Sequence, residues 1–185
     1  MKTPLTFLLA LTFLFLFGCQ TVGGNQGSFY EEDMTLRSLA EEGFANSQLM
    51  LGSRYYHGEG VPQDYQEALK WFRLAAEQGY ADAQSVLGHM YRGGKGVPQD
   101  FKQAVRLFRL SAEQGHALGQ TNLGFMYANG QGVPQDYVSA HMWWNLAGSN
   151  GNKDAVKNRN ILEKKMTKQQ IEKAQEMARN WKPKK

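Results

Sequence analysis

The chain has 185 residues, with 21 basic and 17 acidic side chains giving a net charge of +4, and a single cysteine. One cysteine excludes an internal disulfide framework. The charge is segregated: residues 152–185 carry 11 basic and 4 acidic side chains, residues 19–151 carry 9 and 13, so a uniformly basic, nucleic-acid-like surface is excluded as well.

The first element is "MKTPLTFLLALTFLFLFGCQ", with a positive charge at Lys2 and an apolar run from Leu5 to Phe17 that ends at Gly18-Cys19. A membrane-spanning helix needs about 20 apolar residues, and this run falls short, so residues 1–18 read as a cleaved export signal. Leu16-Phe17-Gly18-Cys19 resembles a bacterial lipobox, which makes Cys19 the lipidated first residue of the mature chain. Acylation gives the odd thiol of an exported protein a chemical fate, and more than one acyl chain is what stable anchoring requires. Gln20 stands where an aspartate would signal inner-membrane retention, so the resemblance implies an outer-membrane anchor facing the periplasm. Residues 19–34, rich in Gly, Gln, Asn and Ser, read as a flexible tether with a reach of roughly 20 Å.

The middle of the chain repeats. Shifted by 36 residues, the segments beginning at Ala45, Ala81 and Ala117 align without insertions, and "GVPQD" recurs at Gly60 to Asp64, Gly96 to Asp100 and Gly132 to Asp136. Such a period marks a solenoid of one supersecondary unit. In each unit a first helix carries Gln48, Leu51, Gly52 and Tyr55 or their equivalents on one face. A second helix repeats an aromatic (Tyr65, Phe101, Tyr137), an alanine (Ala68, Ala104, Ala140), an aromatic (Phe72, Phe108, Trp144) and a leucine (Leu74, Leu110, Leu146) as packing positions. The pentapeptide is punctuation: glycine for unusual backbone angles, proline to stop the first helix, and aspartate to cap the second. Asp64 with Glu67 has the spacing of a reciprocal capping box. "TLRSLAEEGF" from Thr35 aligns with "WFRLAAEQGY" from Trp71, so the array opens with half a unit.

From residue 152 onward a helical pattern covers Lys153 to Lys165, and a second, capped by Thr167 with Gln170 three residues on, places Ile171, Ala174, Met177, Ala178 and Trp181 on one stripe. The pair reads as a terminal cap shielding the last repeat, with a solvated, frayed basic end or a contact to anionic lipid or cell-wall polymer.

The pattern of Ala, Leu-Gly, Tyr, Gly-x-Gly-Val-x-x-Asp, Ala, aromatic, Ala and Gly over 36 residues resembles the Sel1-like repeat, a relative of the tetratricopeptide helix pair. It covers residues 35–151. Two departures stand out: Leu107 replaces the tryptophan of Trp71 and Trp143, and Gly148 replaces the last alanine. The resemblance implies an all-α chain, an α-solenoid of antiparallel helix pairs with three full repeats, that acts as an adaptor or scaffold for another protein. It also implies that the first helices line the concave face. The variable positions there are Asn46, Met50, Ser53 and His57, then Asp82, Val86 and His89, then Leu118, Asn122, Phe125 and Asn129, with Tyr56 and Arg92 at the edge. Their mixed Met, Phe, His and Arg character suits a protein or peptide surface.

No Ser-x-x-Lys, Gly-x-Ser-x-Gly, His-Glu-x-x-His or phosphate-loop string is present, and "RGGKG" at Arg92 to Gly96 is the second copy of the repeat loop. The four histidines have no ligand spacing on one helix. The expectation is therefore a non-enzyme without cofactor, metal, small-molecule substrate or nucleic acid, touching the membrane only through its lipid. Its partner would be an envelope enzyme, for which it is a scaffold, or an incoming toxic effector, for which it is an immunity-type inhibitor. Direct binding of peptidoglycan or another glycan is the alternative from a different class.

Overall fold

The computed structural model describes residues 26–184, with side chains from Met34 onward. The export signal, Cys19 and tether residues 19–25 lie outside the described residues. Among the described residues there are nine α-helices and no strand, and none of the helices is long and apolar enough to cross a membrane. Contacts divide the chain into residues 1–34 and 35–185. The first unit contributes helical backbone from Gln26, where α1 (Gln26–Glu41) begins. Residues 26–34 are thus helical where the composition suggested a tether. Between Ser28 and Thr35 the sequence has neither Gly nor Pro, so nothing interrupts a helix whose remainder is packed.

The second unit holds three helix pairs: α2 (Ala45–His57) with α3 (Tyr65–Glu77), α4 (Ala81–Gly93) with α5 (Phe101–Glu113), and α6 (Ala117–Asn129) with α7 (Tyr137–Ser149). Each first helix stops on a left-handed glycine, with φ of 75° at Gly58, 67° at Gly94 and 66° at Gly130. Only glycine occupies that region without steric cost. Each second helix starts on an aspartate, Asp64, Asp100 or Asp136, whose carboxylate accepts from two free amide N–H groups of the first turn. The same aspartates donate their own N–H to the carbonyls of Tyr55, Tyr91 and Tyr127 at 2.9, 2.9 and 3.0 Å. The pentapeptide therefore fastens both helices of its pair. That second bond explains why the Asp64–Glu67 capping box does not form: the N–H that Glu67 would accept from is already taken by Tyr55, and Glu67 turns to Lys70 at 3.7 Å.

The Leu-Gly signature follows from close packing. A methyl group on Gly52, Gly88 or Gly124 would lie 2.7 Å from a ring atom of Phe72, Phe108 or Trp144. Each glycine is the slot that admits the aromatic of its own repeat. Leu51, Leu87 and Leu123 are buried beside them. A polar ladder runs through the same layer. Gln48, Gln84 and Gln120 donate to the carbonyls of Ala40, Ala76 and Ala112 in the preceding unit, and each accepts a bond from the end of its own unit, from Gln78, Gln114 and Asn150 respectively. Buried amides need these partners, so the ladder fixes the stacking register. Leu36 and Ala40 pack with Leu51 and Trp71, so the second half of α1 behaves as the second helix of a repeat.

Two packing assignments need correction. Leu74 and Leu110 are 38% and 40% exposed and point outward, because the second helices bury their alanines and aromatics against the first helices and leave this position on the outer side. Gly148 departs from the repeat alanine because α8 (Lys153–Glu163) sets Val156 against it, where a methyl would meet Val156 Cγ2 at 2.8 Å.

After α8, the chain does not continue the stack. α9 (Lys168–Asn180), closed at its start by the Thr167–Gln170 capping box, packs on α7. Its Ala174 and Ala178 join the core of Ala104, Phe108, Met126 and Trp143, and Trp181 meets Trp143 edge to face at 6.0 Å. The basic end is tied down rather than frayed: the Lys184 N–H donates to the Glu113 carbonyl at 2.7 Å, and its Nζ pairs with the Glu113 carboxylate at 3.0 Å. The reason is geometric, since α9 ends beside the C-terminus of α5. Beneath the cap, fully buried His141 contacts Glu163 of α8 at 2.7 Å.

Candidate functional site

The repeat-variable residues of the first helices come together in part. A cavity of about 440 Å³ opens between α2 and α4 over the ring of Phe72. Met50, Ser53, Tyr56 and His57 from α2 line it with Asp82, Val86 and His89 from α4, and Leu49 completes the wall. These are seven of the residues that the repeat comparison singled out. Asn46 lies beyond them, accepting from the Tyr80 hydroxyl at 3.2 Å and donating to Met50 Sδ at 3.8 Å. Met50 keeps 48% of its surface exposed, so an apolar, deformable side chain waits at the mouth.

The rim is cationic and aromatic. The Lys95 ammonium donates to the Tyr56 hydroxyl at 2.8 Å and sits 4.8 and 5.5 Å from the centres of the Tyr56 and Tyr65 rings. That hydrogen bond, with the phenol oxygen's partial charge, raises the Lys95 pKa above its ordinary value. Arg92 lies over Phe125 at 5.1 Å and donates to His89 Nδ1 at 3.2 Å, since a guanidinium has no acceptor to offer. His89 packs edge to face on Phe108 at 5.2 Å. Burial first, then the charges of Arg92 and Lys95, push the His89 pKa from 6.5 down to about 4.

A neutral His89 has a consequence for stability. Above pH 6.5 neither folded nor unfolded His89 is charged and the native state keeps its full advantage. Between about 6.5 and 4 the unfolded chain takes a proton that the folded one refuses, so this contribution is lost as pH falls. The urea midpoint of the native protein is expected to drop more between pH 7.5 and pH 4.5 than that of His89→Gln. Parallel losses in the two proteins would show that His89 carries no such linkage.

On the third repeat the stripe is divided. Phe125 and Asn129 line a second cavity of about 190 Å³ with Tyr137, Trp144 and, from α8, Asn158, Ile161 and Leu162. Leu118 is 53% exposed and Asn122 is half-buried, and neither lines a described cavity. Sequence reasoning missed the floor residues Phe72 and Trp144, the α8 wall and Lys95. The repeat alignment did carry a signal for Lys95, which stands where the other units have Glu59 and Gln131.

A third arrangement has the look of chemistry. Asp82 Oδ1 contacts His116 Nε2 at 2.9 Å, and His116 Nδ1 contacts Ser111 Oγ at 3.0 Å. Ser111, however, is 0% exposed, donates to the Ala81 carbonyl at 2.8 Å, and lies in a space that exists only because Gly119 has no Cβ. No acyl group reaches it. The network, with Ser85, is polar packing of the second junction. Among the described residues no cluster of three or more His, Cys, Asp or Glu side chains is placed to hold a metal ion.

A family model for the Sel1 repeat matches three consecutive segments, residues 45–80, 81–116 and 117–152. No curated protein matches the sequence. Among solved structures, a protective antigen of uropathogenic Escherichia coli strains displaying an SLR fold is 37% identical with a TM-score of 0.74, over 89% of this chain and 34% of that one. This chain thus spans about a third of that antigen. A Sel1 repeat protein from Oxalobacter formigenes is also 37% identical, with a TM-score of 0.65, over 70% of this chain and 98% of the other.

Proposed function

This chain belongs to the Sel1 repeat family, and we propose that it is a protein-binding adaptor of the bacterial envelope, lipid-anchored at Cys19 to the outer membrane and facing the periplasm. The observation that supports binding is the cavity between α2 and α4, where seven residues that vary from repeat to repeat converge on a frame that does not. Packing positions shared by the three repeats build the solenoid, and seven of the variable ones gather around one cavity. This is how a repeat scaffold acquires a partner without changing its fold. An exposed Met50 and Phe125, a buried aromatic floor and a cationic rim are the composition of a protein-recognition surface. The partner on this reading is an envelope enzyme that the scaffold positions, or an effector that it captures.

The test is crosslinking in cells followed by identification of the bound proteins, comparing the native chain with the double variant Met50→Glu, Phe125→Glu. Both positions are more than a third exposed, so the helices tolerate the change, which circular dichroism verifies. A partner present with the native chain is expected to fall about tenfold or more with the variant. Identical recovery from both would remove the groove from the binding site. Retention of the chain on purified sacculi free of protein, unaffected by the variant, would favour a glycan ligand instead.

A further inference from the structure

The two cavities are the same site two repeats apart. Phe72 floors the first and Trp144 the second, and these are equivalent positions of the first and third units. Between them the site is closed, because α4 packs on α6 and Arg92 covers Phe125. Adjacent packed helices stand 8–10 Å apart, so two helix spacings put the cavities roughly 20 Å from one another. An extended chain rises about 3.3 Å per residue and turns alternate side chains to one face, so it covers that distance in about six residues. Charge lies along this path: Arg92 over the covered middle and Lys95 on the Tyr56 edge of the first cavity have no carboxylate partner among the described residues, while Asp82, the acidic residue of the first cavity, contacts His116.

From this spacing and charge we infer that the face takes an extended segment of its partner with two apolar side chains about six residues apart, one in each cavity, and carboxylates between them on Arg92 and Lys95. This rests on the adaptor reading and makes it specific. The larger cavity suits an aromatic anchor, the smaller one an aliphatic side chain. Backbone groups of the segment stay solvated over the Arg92–Phe125 bridge, so selectivity resides in the anchors and the acidic centre rather than in main-chain pairing.

The probe is the fluorescent peptide Ser-Phe-Ser-Glu-Ser-Glu-Ser-Leu-Ser, its reversal, and a series in which the two anchors are three to eight residues apart and the Glu residues become Gln. Anisotropy titration is expected to give tightest binding at six-residue spacing, with about tenfold loss on shortening to four or on removal of the carboxylates. Met50→Glu and Ile161→Glu, at opposite ends and both exposed, are each expected to weaken the best peptide about tenfold. Arg92→Ala should shrink the gap between Glu and Gln peptides. A flat response to spacing, or equal binding of Glu and Gln peptides, overturns the inference. If that flat response accompanies loss of the cellular partner in the Met50→Glu, Phe125→Glu variant, the groove stands and only the two-anchor mode fails. If the partner is also unaffected, both readings fall.

Discussion

Phe108→Ala is expected to destabilise the protein by about 3–5 kcal/mol, the usual cost of emptying a fully buried aromatic site. The ring fills the slot left by Gly88, lies against His89, and belongs to the core that α9 closes. Because Gly88 has no side chain and the C-terminus of its helix is pinned by Gly94 and by the Asp100 N–H on the Tyr91 carbonyl, the cavity cannot collapse cheaply. Leu110→Ala on the same helix is the control: that side chain is largely outward, and its loss should cost less than about 1 kcal/mol. Urea unfolding of the two variants beside the native chain decides the matter. Equal midpoints for both would mean that the glycine slot is not what holds the repeat together.

Ending the chain after Met166 is expected to be more damaging still. The deletion removes Ala174, Met177, Ala178 and Trp181 from the core and uncovers Met142 and Trp143 on α7. At about 25 cal/mol per Å² of apolar area, restoring those side chains to water costs at least about 5 kcal/mol, a large part of the stability of a domain this size. The uncovered face is also a contiguous apolar patch, the kind that drives self-association. Gel filtration should show soluble oligomers or loss of monomer, and urea unfolding an early transition. Trp181→Ala gives the milder case in which α9 is retained. A truncated chain that stayed monomeric with an unchanged midpoint would mean that α9 is not the cap of the array.

The distribution of charge takes its meaning from this cap. The excess of basic residues in 152–185 belongs to a segment that packs Ala174, Met177, Ala178 and Trp181 into the core and whose Lys184 is fastened to Glu113. Its lysines line the solvent side of a structural element, and the cations that face the groove, Arg92 and Lys95, come from the acidic body of the chain instead.

By itself the sequence determined the helix pairs, their period and their boundaries, because these depend on local chemistry: glycines that reach positive φ, prolines without an N–H, and aspartates within reach of the amides two and three residues on. It also determined which positions vary on the first helices, and seven of those meet in one cavity. Tertiary structure decided what depends on distance across the chain. It placed Phe72 and Trp144 as the floors of two equivalent cavities, closed the space between them with Arg92 on Phe125, and denied Glu67 its capping role by giving Asp64 to Tyr55. It also turned α9 back onto α7, where an amphipathic stripe had shown only that some surface would be covered. Periodicity specifies which face of a helix is apolar; only the packing of one helix against another specifies what that face meets.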